Sequence, residues 1–102
     1  MNSLLEYLIL NYLENGKLCG YDIITVLHER FHILLSPGQV YPVIDHMTEQ
    51  GLIRKEKQGR LVLLEASHLG ESLLKAWREE FRAIQMQLSN PMSEELRAIA
   101  SR

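Results

Sequence analysis

The stretch SPGQVYPVIDHMTEQG, Ser36 to Gly51, decides the fold. It reads as a helix with signals at both ends. Ser36 can cap the first turn by accepting a backbone N–H, and Pro37 suits the first helical position, where no N–H is needed. Gly51 can take the left-handed turn that closes a helix, with Leu52 folding back onto it. Between the ends, Val40, Ile44 and Met47 are spaced by four and three residues, one narrow stripe to bury. Pro42 breaks the pattern. It removes a hydrogen bond to Gly38 and crowds the preceding turn, at a cost of about 3 kcal/mol in a helix interior. A local rule broken inside a consistent element often marks a functional surface. Gln39, Pro42 and His46 fall away from the apolar stripe, so that surface faces outward.

Working outward, the whole chain of 102 residues, 46% hydrophobic, suits one domain with a modest core, and a dimer would add burial. A single cysteine, Cys19, excludes an internal disulfide, suits a reducing compartment and reads as a small core residue. The N-terminus lacks the basic region and cleavage site of a signal peptide, and no apolar run approaches the ~20 residues of a membrane span. A cytoplasmic location, with no membrane partner, is the expectation. Net charge is −2, so there is no global case for binding nucleic acid. The distribution says more. Residues 1–53 hold six acids and two bases, whereas residues 54–60 hold Arg54, Lys55, Lys57 and Arg60 against Glu56 alone. Any phosphate-seeking charge is concentrated there.

Before the central helix, Ser3 to Glu14 reads as a helix with a Ser3/Glu6 capping box and an apolar face of Leu5, Leu8, Ile9, Tyr12 and Leu13. A loop from Lys17 to Gly20 leads to a second helix, about Tyr21 to Phe31, with Tyr21, Ile23, Ile24, Leu27 and Phe31 inward. Ile33-Leu34-Leu35 is too short to assign. After the central helix, Leu52–Lys57 and Leu61–Glu65 are short branched-apolar runs around Gln58-Gly59, a β-hairpin signal. Ser67 caps a long last helix to about Ser89, stopped by Asn90-Pro91. Residues 93–102 form a short amphipathic helix through Leu96 and Ile99, or fray. The fold class is mainly α with a small β-hairpin wing: a winged helix-turn-helix over residues 1–66, then a long C-terminal helix and tail over 67–102. In that arrangement the third helix enters the major groove and the hairpin tracks the backbone.

Gly20-Tyr21-Asp22-Ile23, Ser36-Pro37-Gly38, Val40-Tyr41-Pro42 with Ile44 and Met47, and Gly51-Leu52-Ile53 together resemble the PadR family of transcriptional regulators, over about residues 5–85. The Tyr-Pro pair inside the helix is the most specific part. The resemblance implies a DNA-binding repressor that is a homodimer through its last helix, needs no cofactor and answers to a small molecule. Two features depart from the family pattern. Gly59-Arg60 is followed by the apolar run Leu61-Val62-Leu63-Leu64 rather than by further bases and tyrosines, and the central helix carries Asp45 and Glu49 on its outward side. Both lower the expected affinity for DNA.

The DNA-binding residues expected are Ser36, Pro37, Gly38, Gln39, Tyr41, Pro42 and His46 on the helix, and Arg54, Lys55, Lys57 and Arg60 on the wing. A Gln at the start of a recognition helix can pair with both N6 and N7 of adenine. Tyr41 and the free N–H groups of Ser36 to Gln39 can hold phosphates, and the wing bases can neutralise the backbone. Those bases also serve as charges that guard an edge strand. The expected dimer seam is Leu5, Leu69, Leu73, Trp77, Phe81, Ile84 and Leu88, where Trp77 and Phe81 pack and a small aromatic or apolar effector can sit. His28-Glu29-Arg30-Phe31-His32 matches H-E-x-x-H, in which two histidines one turn apart share a metal. It lies at a fraying helix end in a chain too short for a protease cleft, so no metal site, no catalytic residue and no enzyme is expected. The leading alternative is a winged-helix module turned to protein contact.

Overall fold

The computed structural model describes residues 3–32, 35–89 and 94–101. Helices α1 (Ser3–Leu13), α2 (Gly20–Phe31) and α3 (Pro37–Glu49) are followed by strands β2 (Ile53–Gln58) and β3 (Leu61–Ala66), then helices α4 (His68–Ser89) and α5 (Glu94–Ala100). A two-residue strand, β1 (Leu18–Cys19), precedes α2 and pairs antiparallel with β3, placing β3 between β1 and β2. The expected loop at Lys17–Gly20 is therefore partly strand; two residues are too few to show an alternation.

The core is one cluster drawn from α1, α2, α3, β2, β3 and α4, with Leu18 of β1 packed against it half-buried. Leu5, Ile9, Leu10 and Leu13 of α1 meet Ile23 and Leu27 of α2, the α3 stripe Val40, Ile44 and Met47, and Leu52, Ile53, Leu64, Ala66 and Leu74. The stripe is buried as its spacing requires. Tyr21 and Phe31, expected inward, are exposed. Ile23 and Leu27 fill the α2 contact, so the two aromatics at the ends of that helix lie beyond it. Cys19 is half-buried rather than a core residue, with its Sγ 3.0 Å from Asp22 Oδ2 at the start of α2. Glu6 is buried; the side chain of Ser3, its expected capping partner, lies outside the described residues, as do Ile33, Leu34 and Asn90-Pro91.

Both helix ends read from the central stretch are present. Gly51 takes φ 78°, and the Leu52 N–H donates to Met47 O at 2.9 Å, closing α3. The Ser67 backbone N–H then donates to Leu52 O at 3.0 Å, and the Ser67 hydroxyl bonds Gly51 O while accepting from Gly70 N–H at 3.0 Å. The cap of α4 is thus also a hook onto the end of α3. Gly70 makes that approach feasible: a Cβ there would stand 2.2 Å from Leu52 O, a backbone atom with little room to retreat. The β2–β3 turn is Gly59-Arg60, one residue later than expected, because Gln58 pairs with Leu61 across it.

Helix α4 begins in the core and ends outside it. Leu74 is buried and Trp77 is half-buried, its ring edge-on to Tyr7 of α1 at 6.0 Å. Phe81 also packs edge-on to Tyr7, at 4.8 Å. From Phe81 to Ser89 every residue is exposed. The molecule measures 63 × 29 × 22 Å with a radius of gyration of 17.7 Å, against about 13 Å for a compact chain of this length.

Candidate nucleic-acid interface

The opening of α3 is exposed over all seven residues expected there: Ser36, Pro37, Gly38, Gln39, Tyr41, Pro42 and His46. Its first turn is a reciprocal cap. The Ser36 N–H donates to Gln39 Oε1 at 2.9 Å, while Gln39 N–H donates to Ser36 O at 3.0 Å. The motif is Ser-x-x-Gln, a capping box legible in the sequence but not credited to Gln39. Two expectations change. Of the backbone N–H groups of Ser36 to Gln39, those of Ser36 and Gln39 are engaged and Pro37 has none, so Gly38 holds the N–H still open to a phosphate among the described residues. The Gln39 amide oxygen accepts from both the Ser36 N–H and, at 3.3 Å, the Ser36 hydroxyl, so neither of its lone pairs is left for adenine N6. What Gln39 offers a groove in this arrangement is its NH2 donors, which suit acceptors such as guanine O6 and N7 or thymine O4.

Tyr41 is seated on the start of α2. A Cβ on Gly20 would lie 2.5 Å from Tyr41 Cε1, so only glycine lets the ring rest against that backbone. Tyr41 stays 42% exposed as a residue. Pro42 is exposed in the helix interior, so the carbonyl its ring leaves without a partner, that of Gly38, lies on an exposed residue as well.

The wing stands beside α3 and is joined to it by Lys55 Nζ, 2.7 Å from Asp45 Oδ1. Arg54 is paired across the hairpin with Glu65 at 2.8 Å. Lys17, next to β1, bonds Glu56 of β2, which raises the lysine above its ordinary value and lowers the glutamate, chiefly through that hydrogen bond. Of the four expected wing bases, then, Arg54 and Lys55 already hold carboxylates, while Lys57 and Arg60 have no partner among the described residues. Exposed pairs of this kind are weak and exchangeable, so Lys57 and Arg60 are the bases most ready for phosphate. Leu61 and Val62 of the wing are exposed and Leu64 is buried.

Leu69, Phe81, Ile84 and Leu88 of the expected dimer seam are exposed on α4, with Leu73 and Trp77 half-buried. Leu5, expected at the seam, is instead buried in the chain's own core and leaves little surface for any partner. The H-E-x-x-H match is also undone by geometry. Helix α2 stops at Phe31, and His32 sits in the left-handed region at φ 54°, off the helical repeat that would align it with His28. No group of three or more metal-ligating side chains occurs among the described residues, and no helix there is long and apolar enough to cross a membrane.

The sequence profile of the PadR-like family of transcriptional regulators matches residues 9–62, more than half of the chain. The chain belongs to that family, whose members are regulators of transcription rather than enzymes. No curated protein matches it. Among solved structures, a PadR family transcription regulator from Clostridium difficile is similar at 22% identity and a TM-score of 0.76, over 82% of this chain and 93% of that one. The winged-helix DNA-binding protein F93 from STIV is similar at 22% identity and a TM-score of 0.68, over 80% of this chain and 89% of that one. PadR of Bacillus subtilis, solved in complex with operator DNA, is 25% identical over 92% of this chain with a TM-score of 0.64, and this chain spans 51% of it. The protein is therefore a PadR-like transcription regulator with a DNA-binding winged-helix fold.

Proposed function

We propose that the protein is a homodimeric, cytoplasmic repressor that occupies a pseudo-palindromic operator. Residues 1–66 are the DNA-binding unit, and residues 67–102 the dimerisation helix and tail. The observation that carries this reading is the open first turn of α3, where Ser36 to Gln39 and Tyr41 are exposed beside a wing whose Lys57 and Arg60 are exposed too. Helix α3 reads the groove with Gln39 and His46; Ser36, Pro37 and Pro42 shape its approach. Lys57 and Arg60 hold phosphates first, and Arg54 and Lys55 join by exchanging their carboxylates for the backbone. The complex of the B. subtilis relative with operator DNA supports the assignment. The exposed stripe of Phe81, Ile84 and Leu88 on α4 supports the dimer, because a helix with an apolar side buries it against something. Leu69, Leu73 and Trp77 extend that stripe toward the core. A groove of about 480 Å³, lined by Tyr7, Phe81 and Ile84 and also by Arg78, Arg82 and Gln85, is the place for a small aromatic or apolar effector. Two-fold symmetry sets half-sites about 10 base pairs, or a multiple, apart.

Selection from randomised duplexes followed by mobility-shift titration tests this reading. The expected result is a two-fold symmetric site bound near 10⁻⁸ M. Lys57 and Arg60 alone, four bases per dimer, give a log–log salt slope of about −3.6, and Arg54 and Lys55 joining them steepen it toward about −7. Lys57→Ala with Arg60→Ala flattens that slope, and Gln39→Ala relaxes selectivity at one position of each half-site. Retained affinity and slope in the double variant would remove the wing from the interface, and recovery of no enriched sequence would remove operator binding.

A further inference from the structure

The line of α3 that stands furthest from the core is not the one carrying Gln39 and His46. At about 3.6 residues per turn, the line opposite Val40, Ile44 and Met47 is Gly38, Pro42, Asp45 and Glu49. All four are exposed. Gly38 and Pro42 bring no hydrogen-bonding side chain, so the first such group along that line is the Asp45 carboxylate. Its Oδ1 accepts from Lys55 Nζ of the wing at 2.7 Å, and its Oδ2 has no partner among the described residues. The lysine side chain is 40% exposed and the aspartate 60%, so the pair is one that water or DNA can open. Glu49, one turn further on, has no cation against it among the described residues.

From this geometry we infer that Asp45 determines specificity at one further base, a cytosine, and that Lys55 moves to the phosphate backbone only where that base is present. A carboxylate accepts and never donates. Over the major groove it is repelled by the phosphates and by the acceptors of guanine and thymine, N7, O6 and O4. Adenine N6 donates, but beside the N7 acceptor. Cytosine N4 donates with only a C–H next to it, so cytosine alone meets the carboxylate without a competing acceptor. Where cytosine lies under Asp45, its amino group takes the place of Lys55, and the freed lysine holds a phosphate. Where another base lies there, Lys55 stays on Asp45 to cover its charge, and that phosphate contact is not made. The reading of one base is thereby tied to one backbone contact in each half-site. This inference rests on the operator-binding reading proposed above and adds to it a residue that neither Gln39 nor His46 replaces.

The test selects sites from randomised duplexes with the full chain and with Asp45→Asn. The position at which the variant loses a cytosine preference is then changed from C·G to T·A in both half-sites. For the native chain this change is expected to weaken binding about tenfold per half-site. It should also flatten the log–log salt slope by about 1.8, two lysines at about 0.9 each. Asp45→Asn removes both differences, because Lys55 is then free on every duplex. Lys55→Gln keeps the cytosine preference and removes the difference in slope, and Glu49→Gln leaves both in place. All three changes are at exposed side chains, so the variants fold. Equal slopes of the native chain on the two duplexes would overturn the coupling. If no cytosine preference depends on Asp45, or Asp45→Asn shifts affinity equally on every duplex, the pair is a brace between wing and helix and the inference falls. Recovery of no site at all removes operator binding and this inference with it, whereas a recovered site indifferent to Asp45 removes this inference alone.

Discussion

Helix α3 and the outer half of α4 carry the same kind of stripe, large apolar residues three and four apart, yet end in opposite situations. In α3, Val40, Ile44 and Met47 are covered by the chain's own α1, α2 and sheet. In α4, Phe81, Ile84 and Leu88 keep 45%, 53% and 79% of their surface. Periodicity states that a helix has a side to bury. It does not state whose atoms do the covering. The covered helix displays its opposite, polar side as the candidate DNA surface, and the uncovered one leaves its apolar side exposed, the surface proposed above for a second copy.

The largest expected effect breaks or sustains that contrast directly. Ile44→Ala should cost about 2–5 kcal/mol in urea unfolding, since its cavity lies among fixed neighbours. Ile84→Ala should cost a dilute subunit almost nothing and instead weaken association, read by sedimentation equilibrium. If Ile84→Ala unfolds the monomeric chain as readily as Ile44→Ala does, the outer helix is covered from within and the contrast is lost.

Next in size is the joint between the two helices. Gly70→Ala sets a Cβ against the Leu52 carbonyl, and overpacking against backbone should lower the melting temperature by roughly 10 °C. Gly20→Ala also meets its neighbour too closely, but that neighbour is the tip of the Tyr41 ring, which can swing away. The thermal loss should be smaller, with Tyr41 displaced from the helix opening. Equal melting temperatures for the two variants would mean that α4 moves freely on the end of α3, in conflict with the hook formed by Ser67.

How much of this was legible follows the same division. The α3 stripe, Ser36, Gly51 and the Ser67 cap could be read because each is a local rule with one geometric outcome. The flanks could not. Tyr21 and Phe31 fit the α2 period, but a wheel has no means of telling which rung lies past the end of the neighbouring element. Leu10 was missed because α1 is apolar nearly all round, so its period selects no face; packing buries Leu10 and leaves Leu4 exposed. Leu5 was placed at the seam for a related reason: sequence marks a residue as apolar without marking whose surface it joins. At the site, exposure of the seven α3 residues was foreseeable. The commitment of the Gln39 oxygen to the cap was available in Ser-x-x-Gln and overlooked, whereas the pairing of Lys55 with Asp45 depends on how the hairpin leans on α3, which no local pattern encodes.

The smallest effect marks where covering stops along α4. Arg78 donates to Glu14 at the end of α1 and to Asn11 Oδ1 at 2.7 Å, the last polar anchors before the helix leaves the body. The hydrogen bond from Arg78 holds the Glu14 carboxyl below its ordinary value of 4.5, against the opposing effect of desolvation and with the help of the guanidinium charge. A carboxyl with a lowered folded-state value binds fewer protons folded than unfolded, so its stabilisation is complete above about pH 4.5 and drains away as pH falls through the lower folded value. Glu14→Gln should therefore be less stable than the native chain at neutral pH, and the two should converge in acid. Because Glu56 is lowered in the same sense by Lys17, both proteins still lose stability on acidification, but the native chain loses more. A constant gap between them across the acid range would show that Glu14 acts by shape rather than charge, and that the anchor of α4 lies in the Trp77 and Phe81 rings on Tyr7.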